Sequence, residues 1–161
     1  MRIYSLLRGA GFVALYFYAL PSAFVWLNES LGWSRWSGGI PDAIGAVLLA
    51  AGIGICAYCS WLFRTLGRGT PVPSEPPTQL VETGPFRLSR NPIYVGYIAI
   101  GLGAFFVLGH VALLLYPLSI FLLAELYLIK VEEPRLAARF GDSYEQYCDR
   151  VPRWPRPWSA G

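Results

Sequence analysis

The stretch NPIYVGYIAIGLGAFFVLGHVALLLYPLSIFLLA, residues 91–124, carries no charged side chain over 34 consecutive positions. As a single helix rising ~1.5 Å per residue it would reach ~51 Å, well beyond the ~30 Å hydrocarbon core of a bilayer. As two helices it is slightly short, and the apolar residues Leu126 to Ile129 extend the second. Gly109-His110 near the middle supplies a flexible, polar break suited to a tight turn. The sequence therefore predicts an antiparallel pair of helices, 92–108 and 111–129, with Pro117 kinking the second.

Two further uncharged runs precede it, Gly9 to Leu27 with 19 residues and Ala43 to Phe63 with 21, each suited to one crossing. The whole chain of 161 residues is 55% hydrophobic and only 14% charged, against the roughly 25% usual in soluble domains. The expected fold is all-α and integral to the membrane: about four transmembrane helices, ending in a C-terminal helical hairpin and a cytoplasmic amphipathic tail. We expect one domain, with residues 1–66 forming two scaffold spans and residues 67–161 forming the hairpin, its preceding loop and the tail.

Charge tests the count. With four spans, both termini and the connection between spans two and three share one side. That side then holds Arg2, Arg8, Arg64, Arg68, Arg87, Arg90, Lys130, Arg135, Arg139, Arg150, Arg153 and Arg156, leaving only Arg35 of the 13 basic residues on the other. Such a bias marks the cytoplasmic face, and three spans would destroy it. Trp26, Trp33, Trp36 and Trp61 fall where interfacial aromatic belts belong. The first apolar run is longer than the core of a signal peptide and is not followed by a clean cleavage pattern. The net charge of +3 follows the membrane topology and calls for no nucleic-acid partner.

Cys56 and Cys59 have CxxC spacing, but they lie inside the second span, and the chain has one other cysteine, Cys148, and one histidine, His110. Redox or zinc chemistry would need further ligands, so these cysteines read as small packing residues and no metal is expected. His110 reads as a turn or interface residue. Ala46, Ala50 and Gly54 form a small-residue stripe that lets a neighbouring helix approach.

Two stretches on the charged side break the membrane pattern. In GRGTPVPSEPPTQLVETGPFRLSRNPIY, residues 67–94, five prolines between Pro71 and Pro85 make the early part extended. Asn91-Pro92 then sets a helix start, Asn as N-cap and Pro at the first helical position. A helix N-terminus beside Arg87 and Arg90 suits an anionic group such as a carboxylate, though a well-capped span explains the pattern equally. In the second stretch, Glu125 to Arg153, Glu125 is an ionisable group within the last apolar run and needs a partner or a cavity. Glu132-Glu133 follow just past the membrane. Leu136, Phe140, Tyr144 and Tyr147 recur at helical spacing as a stripe able to lie on the membrane surface, and Asp142 with Glu145 forms a capping-box pattern after Gly141. Gly96, Gly101 and Gly103 in the third span permit either close helix packing or a ligand's approach.

Taken in order, Gly84-Pro85-Phe86-Arg87, Arg90-Asn91-Pro92-Ile93-Tyr94-Val95-Gly96, Glu132-Glu133, Phe140-Gly141, Tyr144, Tyr147 and Val151-Pro152-Arg153 resemble the isoprenylcysteine carboxyl methyltransferase and phospholipid methyltransferase superfamily. The likeness covers about the last 80 residues. It implies a membrane enzyme that takes a methyl group from S-adenosylmethionine and passes it to a lipophilic acceptor entering from the bilayer. The acceptor is an isoprenylcysteine-type carboxylate, a phospholipid amine or a hydrophobic thiol. The resemblance further implies that Arg87, Arg90, Asn91, Pro92, Tyr94, Gly96, Gly101 and Gly103 bind the cofactor. Glu132 and Glu133 face it as well, and Glu133, Glu132 and Arg153 carry the catalytic roles. Asn91 departs from the family's usual histidine; it can hydrogen-bond but cannot titrate, which excludes a proton shuttle there. Small bacterial relatives of this type accept Asn there, consistent with cofactor binding. The expected location is the bacterial inner membrane, with termini and active site on the cytoplasmic side that the basic residues mark.

Methyl transfer demands alignment, exclusion of water and fixed charges around a cationic cofactor. Carboxylates suit the cofactor's amino, ribose and cationic groups. An acceptor amine must first lose a proton, for which Glu133 or Glu125 would serve, while Arg135, Arg139 and Arg153 would hold an anionic acceptor. Two competitors stand beside this. One is an NADPH-dependent membrane reductase of the sterol reductase type, whose members share the C-terminal architecture but have more spans. The other is a non-enzymatic membrane protein in which the motifs are scaffold.

Overall fold

A computed structural model describes residue 11, residues 14–70 and residues 77–156. Arg2, Arg8, the first residues of the run beginning at Gly9 and the proline-rich segment 71–76 lie outside the described residues. A π-helical turn, Leu15–Ala19, runs directly into α1 (Leu20–Ser30), and a loop leads to α2 (Ile40–Thr65). A 3₁₀ turn at Gly84–Arg87 precedes α3 (Pro92–Leu108). Another, Val111–Leu114, opens α4 (Leu115–Tyr127). The π-helical stretch Leu128–Glu132 carries α4 without a break into α5 (Glu133–Phe140), and α6 (Asp142–Arg150) folds back after Gly141. Helices dominate, and the described residues contain no strand beyond one isolated bridge between Arg35 and His110.

Among the described residues, α2 with 26 residues and the 30-residue rod Val111–Phe140 are long and apolar enough to cross a membrane. α3 is apolar but shorter, at 17 residues. The break at Gly109-His110 falls where the sequence predicts it. Gly109 adopts φ +70°, and a Cβ there would collide with the Trp36 carbonyl oxygen, so only glycine fits this turn. His110 is buried beneath the loop, its Nε2 3.7 Å from Glu29. Asn28 seals the same end: its Nδ2 donates to the Trp33 carbonyl at 3.0 Å and its Oδ1 accepts from the Ala112 N–H at 2.9 Å.

Pro117 falls near the start of the last apolar helix, just after the 3₁₀ turn Val111–Leu114. It sits in the first turn of α4, where backbone N–H groups have no intrahelical partner, so the ring is accommodated without breaking a hydrogen bond. Its ring packs on Gly101 of α3, closing that helix pair. The close approach between α2 and α3 differs from expectation. Ala46, Ala50 and Gly54 are exposed, and the helices meet instead through Gly45 and Gly52 of α2 and Gly96 and Gly103 of α3. A seven-residue interval on each helix brings these glycines to one face, and backbone then lies against backbone. Cys56 packs on Gly96, while Cys59 is fully buried beside Leu62, Val81, Phe86 and Ile93.

The tail corrects two further expectations. Leu136, Phe140, Tyr144 and Tyr147 do not form a continuous surface stripe. Gly141 at φ +52° turns α6 back on α5, and the four side chains gather around Val151 and Leu80. Gly141 itself is the N-cap of α6 and no side chain caps it, so the Asp142–Glu145 capping box does not form.

A Cβ on Gly52 would stand 2.6 Å from the Gly96 carbonyl oxygen, whereas one on Gly54 meets nothing within 4 Å. Gly52→Val should therefore lower unfolding stability in detergent by about 2 kcal/mol or more through overpacking, and Gly54→Ala should be neutral or slightly stabilising. Thermal melts of the two variants side by side check the assignment of faces.

Candidate functional site

The site is built where the start of α3 meets the end of the long rod, and the segment Val151–Trp154 laces the two together. That segment binds the α3 start through its backbone. The Arg90 N–H donates to the Pro152 carbonyl at 2.9 Å, the Ser89 hydroxyl to the Arg153 carbonyl at 2.7 Å, and Asn91 Nδ2 to the same carbonyl at 3.3 Å. Asn91 thus occupies the N-cap position by its backbone, but its buried side chain holds the tail and makes no capping bond. Ser89, 1% exposed, accepts from the Asn91 N–H at 3.0 Å and so completes the turn.

The Arg153 side chain points the other way, into the rod. Nε and Nη2 form a two-pronged bond to Glu133 at 2.8 and 2.7 Å, and Nη1 reaches Glu125 at 2.7 Å. The second oxygen of Glu125 accepts from Trp154 Nε1 at 2.6 Å, and the Trp154 ring leans on Phe121. Arg90 Nη1 lies 3.4 Å from Glu133 and also contacts Cys148 Sγ. Two arginines and two carboxylates therefore alternate, and the carboxylate that the sequence leaves stranded in an apolar helix has its partner.

The two adjacent glutamates have different surroundings. One residue apart on a helix, they point about 100° apart. Glu133 faces Arg153 and Arg90; the hydrogen bonds from Arg153 hold its carboxyl below the ordinary range against the opposing effect of burial. The same pairing pushes the Arg153 guanidinium up, so it stays charged. Glu132 faces α3, where the Tyr94 hydroxyl donates to it at 3.0 Å. Burial raises the Glu132 carboxyl, partly offset by that hydrogen bond, and no cation is among its partners in the described residues. A further buried group lacks a partner: Arg90 Nε has no hydrogen-bond acceptor.

An open recess of about 500 Å³ adjoins the cluster, lined by Arg90, Ile129, Glu133, Tyr144, Glu145 and Cys148 among others. Beside it, Tyr147 donates to the Phe86 carbonyl at 2.7 Å, which pins α6 to the Gly84–Arg87 turn. At the surface, Arg150 pairs with Glu82 at 2.6 Å.

Of the residues singled out by sequence, Arg90, Asn91, Pro92, Tyr94, Glu132, Glu133 and Arg153 converge on this end of the bundle. Arg87 is exposed at the end of its 3₁₀ turn, outside the cluster. The open sides of Gly96, Gly101 and Gly103 are taken by Cys56 and Gly52, by Pro117, and by Leu49 and Gly45, so these glycines serve helix packing. Arg135 and Arg139 are exposed on α5. Ser89, Cys148 and Trp154 join the cluster without any local signal in the sequence, since a serine in a loop and a tryptophan near a chain end have many other uses.

The phospholipid methyltransferase family matches residues 41–143, well over half of the chain. The chain belongs to that family. The matched region contains α3, the rod, the Glu132-Glu133 pair and all but the first residue of α2. Protein-S-isoprenylcysteine O-methyltransferase of Schizosaccharomyces pombe (strain 972 / ATCC 24843) is 40% identical over 74 residues, 45% of this chain and 31% of that relative. The match thus spans about a third of the length of the yeast protein. No solved structure matches the chain.

Because Arg153 neutralises two carboxylates while only 28% of its side chain is exposed, Arg153→Gln should cost about 2 kcal/mol of folding stability or more. Tyr147→Phe, which removes one buried hydrogen bond, should cost about 1 kcal/mol. Both are measured by thermal or denaturant unfolding in detergent. The pH dependence has a definite sign. A carboxyl held below its unfolded value of 4.5 contributes stability above that value and loses it as the pH falls further. Wild-type protein should therefore lose stability below about pH 4.5, and Glu133→Gln should show a shallower acid limb.

Proposed function

We propose that this chain is an integral membrane methyltransferase of about four spans that uses S-adenosylmethionine and acts on a lipophilic acceptor reaching the site from the bilayer. In this proposal the site and both termini face the cytoplasm, in keeping with the clustering of basic residues at one end of the bundle. Residues 1–66 serve as scaffold and as a wall toward the acceptor, and residues 67–161 form the binding core. The observation that carries the cofactor assignment is the contrast between the two glutamates. Glu133 is already neutralised, whereas Glu132 is a half-buried carboxylate bonded to a phenol and lacking a cation.

These groups fit S-adenosylmethionine. Glu132, steadied by Tyr94, offers negative charge to a cationic ligand, and the unsatisfied Arg90 Nε offers a donor to its carboxylate. When bound, the cofactor supplies an electrophilic methyl group on a sulfonium sulfur, open to in-line displacement. The protein's part is to hold that charge, to keep water away with the Val151–Trp154 segment, and to align the acceptor. Glu133 is poorly suited as a base, because two guanidiniums stabilise its ionised form; Arg153, committed to two carboxylates, is poorly suited to hold an anionic acceptor. Where the acceptor is an amine that must lose a proton, Glu132 is the better-matched carboxylate, since its affinity for a proton is raised. Glu133, Arg153 and Asn91 then act as the frame that holds Glu132 and Arg90 in place. The acceptor belongs to the lipophilic class: a lipid carboxylate, a phospholipid amine or a hydrophobic thiol.

Calorimetry of the full chain in detergent tests the proposal. S-adenosylmethionine should bind and NADPH should not, and Glu132→Gln should weaken the binding on the order of tenfold, as expected for one lost partly buried charge contact. Binding of NADPH alone, or an unchanged affinity in Glu132→Gln, would sink it.

A further inference from the structure

Glu125 lies within the apolar rod, yet both of its oxygens are engaged, by Arg153 at 2.7 Å and by Trp154 at 2.6 Å. Counting the groups within ion-pair distance of one another gives Arg90 and Arg153 against Glu125 and Glu133, a cluster of zero net charge. Glu145 and Asp149 on the rim of the recess are exposed and screened by solvent. Without Glu125, which precedes Glu132 by about two helical turns along the rod, the cluster would carry +1. A positive cluster there would oppose the binding of any cation at Glu132.

We propose that Glu125 is a specificity-determining residue: by cancelling one of the two arginine charges, it lets the site favour the cationic cofactor S-adenosylmethionine over the uncharged-sulfur product S-adenosylhomocysteine. The proposal rests on the cofactor assignment above. The two ligands share the adenosine, the amino group and the carboxylate and differ at the sulfur, by one methyl group and one positive charge. A residue acting through charge must move their affinities apart, whereas one acting only through packing must move them together. Removing one unit of charge roughly 10 Å from a cation held at Glu132, the rise of seven residues along the rod, corresponds at an effective dielectric constant of about 20 to a change on the order of tenfold. The distinction matters for turnover, because the preference sets how strongly the product competes with the methyl donor.

Glu125→Gln keeps the shape of the side chain and an oxygen for Trp154 but removes the charge. Affinities for S-adenosylmethionine and S-adenosylhomocysteine are measured by calorimetry on the full chain in detergent, at about 0.1 M and about 1 M salt. The preference for S-adenosylmethionine should fall about tenfold in the variant at the lower salt, with S-adenosylhomocysteine binding changed less than about twofold, and the difference should shrink at the higher salt. Glu125→Asp, which keeps the charge, should retain the wild-type preference, and this variant decides the matter should Glu125→Gln fail to fold. Glu125→Gln combined with Arg153→Gln returns the cluster to zero and should restore the preference, even with both affinities lowered. An equal loss for the two ligands in Glu125→Gln, or a lost preference in Glu125→Asp, overturns the proposal. Absence of binding of either ligand to the wild-type protein is a different result, and it overturns the cofactor assignment itself.

Discussion

The pairing of Arg153 with Glu133 and Glu125 is the contact on which the charged end of this protein depends. It is a tail residue that satisfies a carboxylate within an apolar helix and a second carboxylate at that helix's continuation. Removing the arginine would leave two negative charges facing one another across two turns of the rod, with Arg90 balancing one of them. The backbone of the same residue accepts hydrogen bonds from Ser89 and Asn91, so one position joins the start of α3 to the end of α4. An arginine does this better than a lysine would, because its planar fork serves Glu133 with two donors and still has a third for Glu125.

The packing of the bundle makes that contact possible. Glycine-to-backbone approach between α2 and α3, and Pro117 against Gly101, hold three helices close enough that the end of the rod stands over the start of α3. At the opposite end Gly109, Asn28 and Trp36 lock the turn that sets the relative height of α3 and α4. An error of one residue in that turn would rotate Glu132 away from Tyr94 and Glu133 away from Arg153. The tail, with its own small core around Tyr144, Tyr147 and Val151, then fixes where Arg153 can reach.

Charge in the site is divided between neighbours. Glu133 is paired with two arginines and Glu132 with the Tyr94 phenol, although the two are adjacent in the chain. Both glutamates lie in the region that matches the phospholipid methyltransferase family.

Much of this was legible in the residues themselves. The length of the uncharged run 91–124 and its break at Gly109-His110 specify a pair of helices from 92 to 108 and from 111 onward, because hydrophobic length and a flexible break are local properties. The ordered motifs point to the family, and their residues converge on one end of the bundle. Partnership was not legible, because it depends on which face of each helix turns inward. Glycines that could have served a ligand serve helix contacts, and a stripe that could have met the membrane meets Val151 and Leu80. Asn91 caps with its backbone while its side chain holds the tail, and Glu125 finds Arg153 and Trp154 nearly thirty residues away. Only the tertiary structure decides these, since an ion pair between distant positions forms through the geometry of the packed helices and leaves no trace in local spacing.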